Sequence, residues 1–450
     1  MANDTTDIHR IRKAVFDLTF PDEKTAFRLR KRLEEMFYIE VVPVLDEVFS
    51  TLAPNGQVYR IKRLEIDLGR FDPEQLDGTV IRRAILTQLG DYLRDFVSRE
   101  AKPEPVEVSV EQVLSRFLDT GELVWYSVHD SVTTLERAIR ALEPAVAQGV
   151  IRRIVPTLRR RHARLRLIYQ FSSGFCEWVI RMLHPTTWQG LFETGRDVLG
   201  PLKTTEAKDV LLSVAAGMLP DESIDPTVFA VRVRELGVFA VRVKELGALD
   251  VPVRKSAEQS TARSRSQDVR TEDIHQEKEA DEENAKYVRY AGIVLLHPFL
   301  ARFFDALSLL DDNQHFTSDE SRARAVHLMY YLATRREEPP ENETVLFKIL
   351  CGYSLQTPLV KQLRLTQREK DEAENLLTSA IRLWQKLGNT SPDGFREGFL
   401  QRQGKLTQTG NSWHLAVEQS SIDILLDHLP WSLSILTLPW LEVAIRVDWA

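Results

Sequence analysis

The amino-acid sequence predicts an α+β protein that is predominantly α-helical, arranged in four parts. These are an N-terminal β-α-β-α unit (residues 1–101), a helical region (107–220), a duplicated segment with a flexible linker (221–286), and a helical domain with a small terminal sheet (287–450). Three observations predict this order. Apolar residues recur at steps of three or four through most of the chain, the spacing of one helix face. Period-two alternation, the mark of a half-buried strand, is confined to short stretches near the two ends. Residues 255–284 are rich in Ser, Gln, Arg and Glu and nearly free of apolar side chains, so they cannot bury enough surface to offset the entropy of ordering.

Ala14, Phe16, Leu18 and Phe20 alternate with polar neighbours and read as the first strand. Pro21-Asp22 opens a helix whose apolar face runs through Ala26, Leu29, Leu33, Phe37, Val41, Leu45, Val48 and Leu52. Pro43 lies inside that face and should kink or split it. Leu64, Ile66 and Leu68 predict a second strand, and a helix from Pro73 to about Arg99 follows. Lys102–Val106, with two prolines, reads as an extended linker.

In the middle region, Val110, Val113, Leu114, Phe117 and Leu118 form a stripe that ends at Gly121. Further helices are expected over 134–147, 148–169, 175–183 and 203–218. Phe229–Gly237 then recurs as Phe239–Gly247 with one conservative change. Two copies are too few for a solenoid, so a local duplication is the simpler reading. Beyond the linker, helices are expected near 295–310, broken by His297-Pro298, and over 321–334, 343–350 and 367–387, the last closed by a left-handed Gly388-Asn389 end. Trp413, Leu415 and Val417 alternate, as do residues 443–449, which predicts the terminal sheet.

Composition narrows the class. A hydrophobic fraction of 43% with 28% charged residues is globular. A net charge of −7 opposes generic nucleic-acid binding by the whole chain. The two cysteines, Cys176 and Cys351, are too far apart in sequence to suggest a metal motif, and so few do not make a disulfide scaffold. The polar, acidic start is unlike a signal peptide. The longest apolar stretch, 429–445, contains Pro430, Pro439 and Glu442, so no membrane span is expected.

No catalytic, cofactor-binding or metal-binding residues are expected. Gly398–Leu406 falls short of a phosphate loop, with five residues between its glycines and Leu406 where Ser or Thr would hold magnesium. The ten histidines show no ligand spacing, and His184-Pro185 and His297-Pro298 suit helix ends better than zinc. Cys176 has no identifiable base, and Ser172 or Ser173 fits a helix start. Glu337, Glu338 and Glu341 flank Pro339-Pro340 and read as solvated loop charge.

Two candidate interaction surfaces remain. Arg152, Arg153, Arg159, Arg160, Arg161 and Arg164, joined by Arg166, sit among apolar residues and would make a cationic face on one long helix. Acidic partners within the chain, an acidic protein surface, or nucleic acid could meet it. The last is disfavoured by the lack of interleaved aromatics. The second surface is Trp413, Trp431, Trp440 and Trp449, with Leu-Pro-Trp occurring twice. Core is the default for such side chains, and an assembly interface the alternative.

A set of ordered motifs gives these features a context: His9–Leu18, Val58–Gly69, Phe117–Tyr126, Val294–Leu307, Ala325–Gly352 and Trp413–Trp449. Together they resemble the tape measure proteins of contractile injection systems, the phage-tail-like particles that prokaryotes assemble. The resemblance implies a noncatalytic role in setting tube and sheath length. The implied partners are inner tube, baseplate or cap proteins, with self-association left open. The implied location is the cytoplasm during assembly, with retention in the particle also open. The alternatives are an assembly chaperone or adaptor and, more weakly, a toxin or enzyme cargo. A single helix of all 450 residues would reach about 675 Å. Pro43, Pro54, Pro103, Pro201, Pro298 and Pro339 oppose such a literal helical ruler.

Overall fold

Helix dominates because most of the chain carries one apolar face per turn, and the computed structural model shows where those faces close on one another. It describes scattered positions from 11 to 32, then residues 36–51, 57–59, 61, 64–71, 78–99, 104–123, 127, 129–172, 174–185, 188, 204–217, 285–410 and 412–449. The expected first strand lies almost wholly outside these residues, as do the duplicated segment and the linker. The chain divides into two compact units. One is Met1–Leu114 with Val124–Asp130 and Ala138–Val150, and the other is Ser115–Leu123 with Ser131–Arg137 and Ile151–Ala450.

In the first unit, a π-helical turn over Phe37–Val41 leads into α1 (Val42–Ser50) with the backbone helical throughout. Pro43 sits in the first turn of α1, where its missing N–H costs nothing. The wider turn just before it is how the helix accommodates the ring, which would clash with a normal α turn. Helix α2 (Gly78–Arg99) presents Ile81, Ile85, Leu89 and Leu93 to Val41, Val44 and Val48, and these form the unit's apolar core. Leu64–Leu68 does not form a strand, and no ladder pairs it among the described residues. Among the described residues, the only pairing in this region is a two-residue ladder, β1 (Gln57–Val58) against β2 (Glu104–Pro105). The described residues therefore do not show a β-α-β-α unit.

Helix α3 (Val106–Thr120) follows. The two helices expected over 134–147 and 148–169 are instead four: α4 (Val132–Ala141), α5 (Pro144–Arg153), α6 (Val155–Leu158) and α7 (Arg161–Gln170). Pro144 and Pro156 cause the difference, each standing at the start of a new helix where proline is tolerated. Helices α8 (Phe175–Leu183) and α9 (Thr204–Gly217) match the expected spans closely.

The C-terminal part of the second unit packs helices against a mixed five-stranded sheet. A 3-10 turn (Ala291–Leu296) precedes α10 (His297–Ala306), with Pro298 in its first turn. Helix α11 (Asp319–Thr334) is capped by Ser318, and α12 (Val345–Leu350) is short. Helix α13 (Gln367–Leu383) begins with a reciprocal Thr366–Glu369 capping box. It ends through a 3-10 turn rather than a left-handed cap, because Gly388 has φ 58° and ψ −122°. After α14 (Pro392–Phe395) and a π turn, β4 (Gly404–Thr409) and β5 (Ser412–Val417) form a hairpin. Strand β3 (Lys286–Val288) pairs with β4, β7 (Ile445–Asp448) runs parallel to β5, and β6 (Ile435–Leu436) closes the order β3-β4-β5-β7-β6.

Backbone approach is closest at Gly292. A Cβ there would lie 1.7 Å from the carbonyl oxygen of Phe399, in the π turn, which cannot move aside as a side chain could. Gly292→Ala should therefore cost about 3 kcal/mol or more of stability, read as a fall in the urea midpoint.

Candidate functional site

Charged residues are expensive to bury, so buried ones mark where the chain has arranged partners. The second unit holds a group of three: Arg166 on α7, and Glu341 and Lys348 before and on α12, each with no more than 2% of its surface exposed. A guanidinium carries five N–H donors, and all five are met at Arg166. Nε donates to Glu341 Oε1 at 3.1 Å. Nη1 donates to the carbonyls of Leu118 (3.0 Å) and Asp119 (2.6 Å), at the end of α3. Nη2 donates to the carbonyls of Leu355 and Gln356, both at 2.9 Å.

Lys348 Nζ approaches the same Glu341 oxygen at 2.6 Å and donates to Thr357 O at 2.8 Å. Burial pushes its pKa below the ordinary lysine range, against the pull of Glu341. Gln170, one turn beyond Arg166, completes the group. Its amide donates to Leu359 O at 2.8 Å, and its oxygen accepts from the Glu341 backbone at 3.1 Å. Gly121 closes α3 over the ion pair with φ 79°, and a Cβ there would stand 2.8 Å from Glu341 Oε1 and 3.1 Å from Arg166 Nε. Two of the ordered sequence motifs, Phe117–Tyr126 and Ala325–Gly352, thus meet at one buried ionic node.

The arginine run does not make one cationic face. Proline divides it, and much of its charge is answered inside the unit. Arg160 and His162 both bond Asp119, whose carboxyl is held below its usual range mainly by Arg160. Arg161 and the buried Arg164 both reach Asp209 on α9, at 3.4 and 2.7 Å. Arg164 also donates to the carbonyls of Leu158 and Arg159, the open end of α6. Arg152 is half-buried, and Arg153 and Arg159 are exposed.

The tryptophans belong largely to the core. Trp440 stands 5.1 Å from Phe316 and 5.5 Å from Phe304, ring centre to ring centre, and donates to Leu350 O. Trp449 donates to Asp423, which also accepts from Arg402. Trp431 and Trp413 are half-buried, the former edge-on to Phe299.

The loop reading of Glu341 needs correction, since it is buried at the node. Glu337 does stay near the surface, paired with Lys370. A signal was present: Lys348 is the lone charge in the apolar run Val345–Leu350, and a buried ammonium demands a carboxylate nearby. Residues 396–400 form the π turn and Gly404 starts β4. Burial pushes the Cys176 thiol up to about 12 and raises Cys351 as well, which disfavours the thiolate at both. His184 Nε2 donates to the Ala215 carbonyl, and His297 sits at the start of α10, both with pKa values lowered by burial. Among the described residues no cluster of three or more His, Cys, Asp or Glu could hold a metal ion, and no helix is long and apolar enough to cross a membrane.

Gly121→Ala should lose about 1–3 kcal/mol from the forced left-handed backbone alone, with the contact to Glu341 adding to it, measured as a shift in urea midpoint. Lys348 generates a pH dependence. Its folded-state pKa is lowered, so between that value and the ordinary 10.5 the unfolded chain binds more proton and stability rises with pH. Lys348→Met should flatten that rise, as read from urea midpoints across alkaline pH.

No curated protein and no solved structure matches this chain. A family match described as contractile injection system tape measure protein covers residues 8–449. With nearly the full chain inside that match, the protein belongs to the contractile injection system tape measure family.

Proposed function

We propose that this chain is a noncatalytic assembly factor that controls tube and sheath length as a folded protein, through surface contacts with particle components. The observation that carries this reading is the family match over residues 8–449. The fold supports contact over a stretched ruler. The longest helix among the described residues, α2, has 22 residues, or about 33 Å at ~1.5 Å per residue. Residues 288–449 close around their own apolar core, which an extended chain would forfeit. Inner tube, baseplate and cap proteins are the proposed partners, met in the cytoplasm during assembly. The exposed Arg159 is the part of the arginine run proposed to face an acidic partner surface. The closed core also favours a second reading, an adaptor or chaperone that joins particle components without setting their length.

Deleting the gene tests length control: particles should be absent or of scattered length in electron micrographs, and uniform lengths of the normal value would refute it. Removing Val238–Gly247, one repeat copy, separates the mechanisms. A contact-based factor leaves particle length unchanged, whereas a linear ruler shortens every particle by a fixed small amount.

A further inference from the structure

The ionic node lies at a joint within the second unit. On one side stand the end of α3 and helix α7, with α9 tied on through Asp209. On the other side stand the residues from 285 onward. The apolar core of that C-terminal part draws only on residues 288–449, and so do the half-buried apolar residues packed against it. Among the described residues, α7, α9 and the end of α3 contribute nothing to that core. Among the described residues, the hydrogen bonds that fasten the joint are polar side-chain ones: Arg166 to Glu341 and to the carbonyls of Leu355 and Gln356, Gln170 to Leu359 and Glu341, and Lys286 to Glu122.

We infer that residues 285–449 form a separately folded module and that the node is a polar latch, able to release α7, α9 and the end of α3 while that module stays folded. Two physical arguments carry this. Parting an apolar interface leaves hydrocarbon in water at about 25 cal/mol per Å². Parting this joint exposes a guanidinium, a carboxylate, an amide and loop carbonyls, all of which water solvates well, so hydrogen bonds are exchanged rather than lost. The closed state also carries a cost of its own. Three charges are desolvated there, and Glu341 Oε2 is buried without a hydrogen-bond partner.

Geometry makes the latch specific even though it is weakly held. Only a planar fork can span carbonyls from the end of α3 and from the 355–356 loop while also meeting a carboxylate. The two carbonyl acceptors on the C-terminal side, Leu355 and Gln356, lie between α12 and α13, in a segment without regular secondary structure, and are free of ladder bonds. The inference stands apart from length control, since it concerns how this chain opens and not what the particle measures.

Hydrogen exchange of the full-length protein, followed by mass spectrometry, tests the latch. In Arg166→Ala, amides of 115–121, 161–170 and 351–360 should exchange at least tenfold faster. Amides within α11 and α13 should keep their original protection. Arg166→Lys, which keeps the charge but loses the fork, should show the same pattern more weakly. Loss of protection throughout 285–449 in either variant would overturn the proposal, because the two sides would then be one cooperative body. Unchanged exchange on both sides of the joint in both variants would overturn it too, since the node would then fasten nothing.

Discussion

A guanidinium offers five donors in a rigid plane, and taking it out of water is tolerable only where five acceptors are already in place. Arg166 meets that demand with one carboxylate and four backbone carbonyls. The constraint propagates outward. The carbonyls of Leu118 and Asp119 are available because α3 stops at Thr120, and it stops there because Gly121 accepts a left-handed backbone. Glu341 must be held rigidly, and Gln170 and Thr344 bond its backbone on either side. Lys348, one side chain away, shares the same carboxylate oxygen and anchors α12 to the loop that follows.

The C-terminal sheet and helices obey a different logic, in which aromatic area dominates. Trp384, Trp431, Phe395 and Phe399 form one connected group of rings, and Trp440, Phe304 and Phe316 form another. Large rings bury much area at small cost in side-chain entropy, and Trp440 and Trp449 satisfy their indole N–H groups within the fold. The last strand is fastened twice. Its ladder pairs it with β5 and β6, and just past it Trp449 reaches Asp423, a capping residue that also binds Arg402. A strand held by both backbone and side chain is a structural part of the core.

Buried histidines add a further restraint on that core. His327 has both ring nitrogens near backbone carbonyls, Val360 at 2.8 Å and Glu337 at 3.3 Å, and burial lowers its pKa. The folded state therefore favours the neutral ring, and the stability tied to it is present above the ordinary value of 6.5 and lost as pH falls toward the lowered one. The ring links α11 to segments 337 and 360, the stretches flanking the loop that binds Arg166.

Local pattern was enough to read the helices of 297–350, the end of α3 at Gly121 and the strands at 412–417 and 445–448. Each depends on the spacing of nearby side chains, which the sequence displays directly. Pro144 and Pro156 were legible too, and each marks a helix start that apolar spacing alone conceals. The predicted strand at 64–68 failed for a physical reason: alternation shows which face is apolar, but a strand also needs a partner ladder, and no local pattern supplies one. The same limit hid the node. Arg166 looks like one more member of a basic run, and Glu341 like loop charge beside two prolines. They are 175 residues apart in sequence, and only the packing of α7 against the 341–359 segment brings them within hydrogen-bond reach. By itself the sequence determined the helical character, the terminal strands and the family resemblance, because these reside in local spacing and ordered motifs. Tertiary structure alone decided which charges leave water, because desolvation depends on what the rest of the chain places around each group.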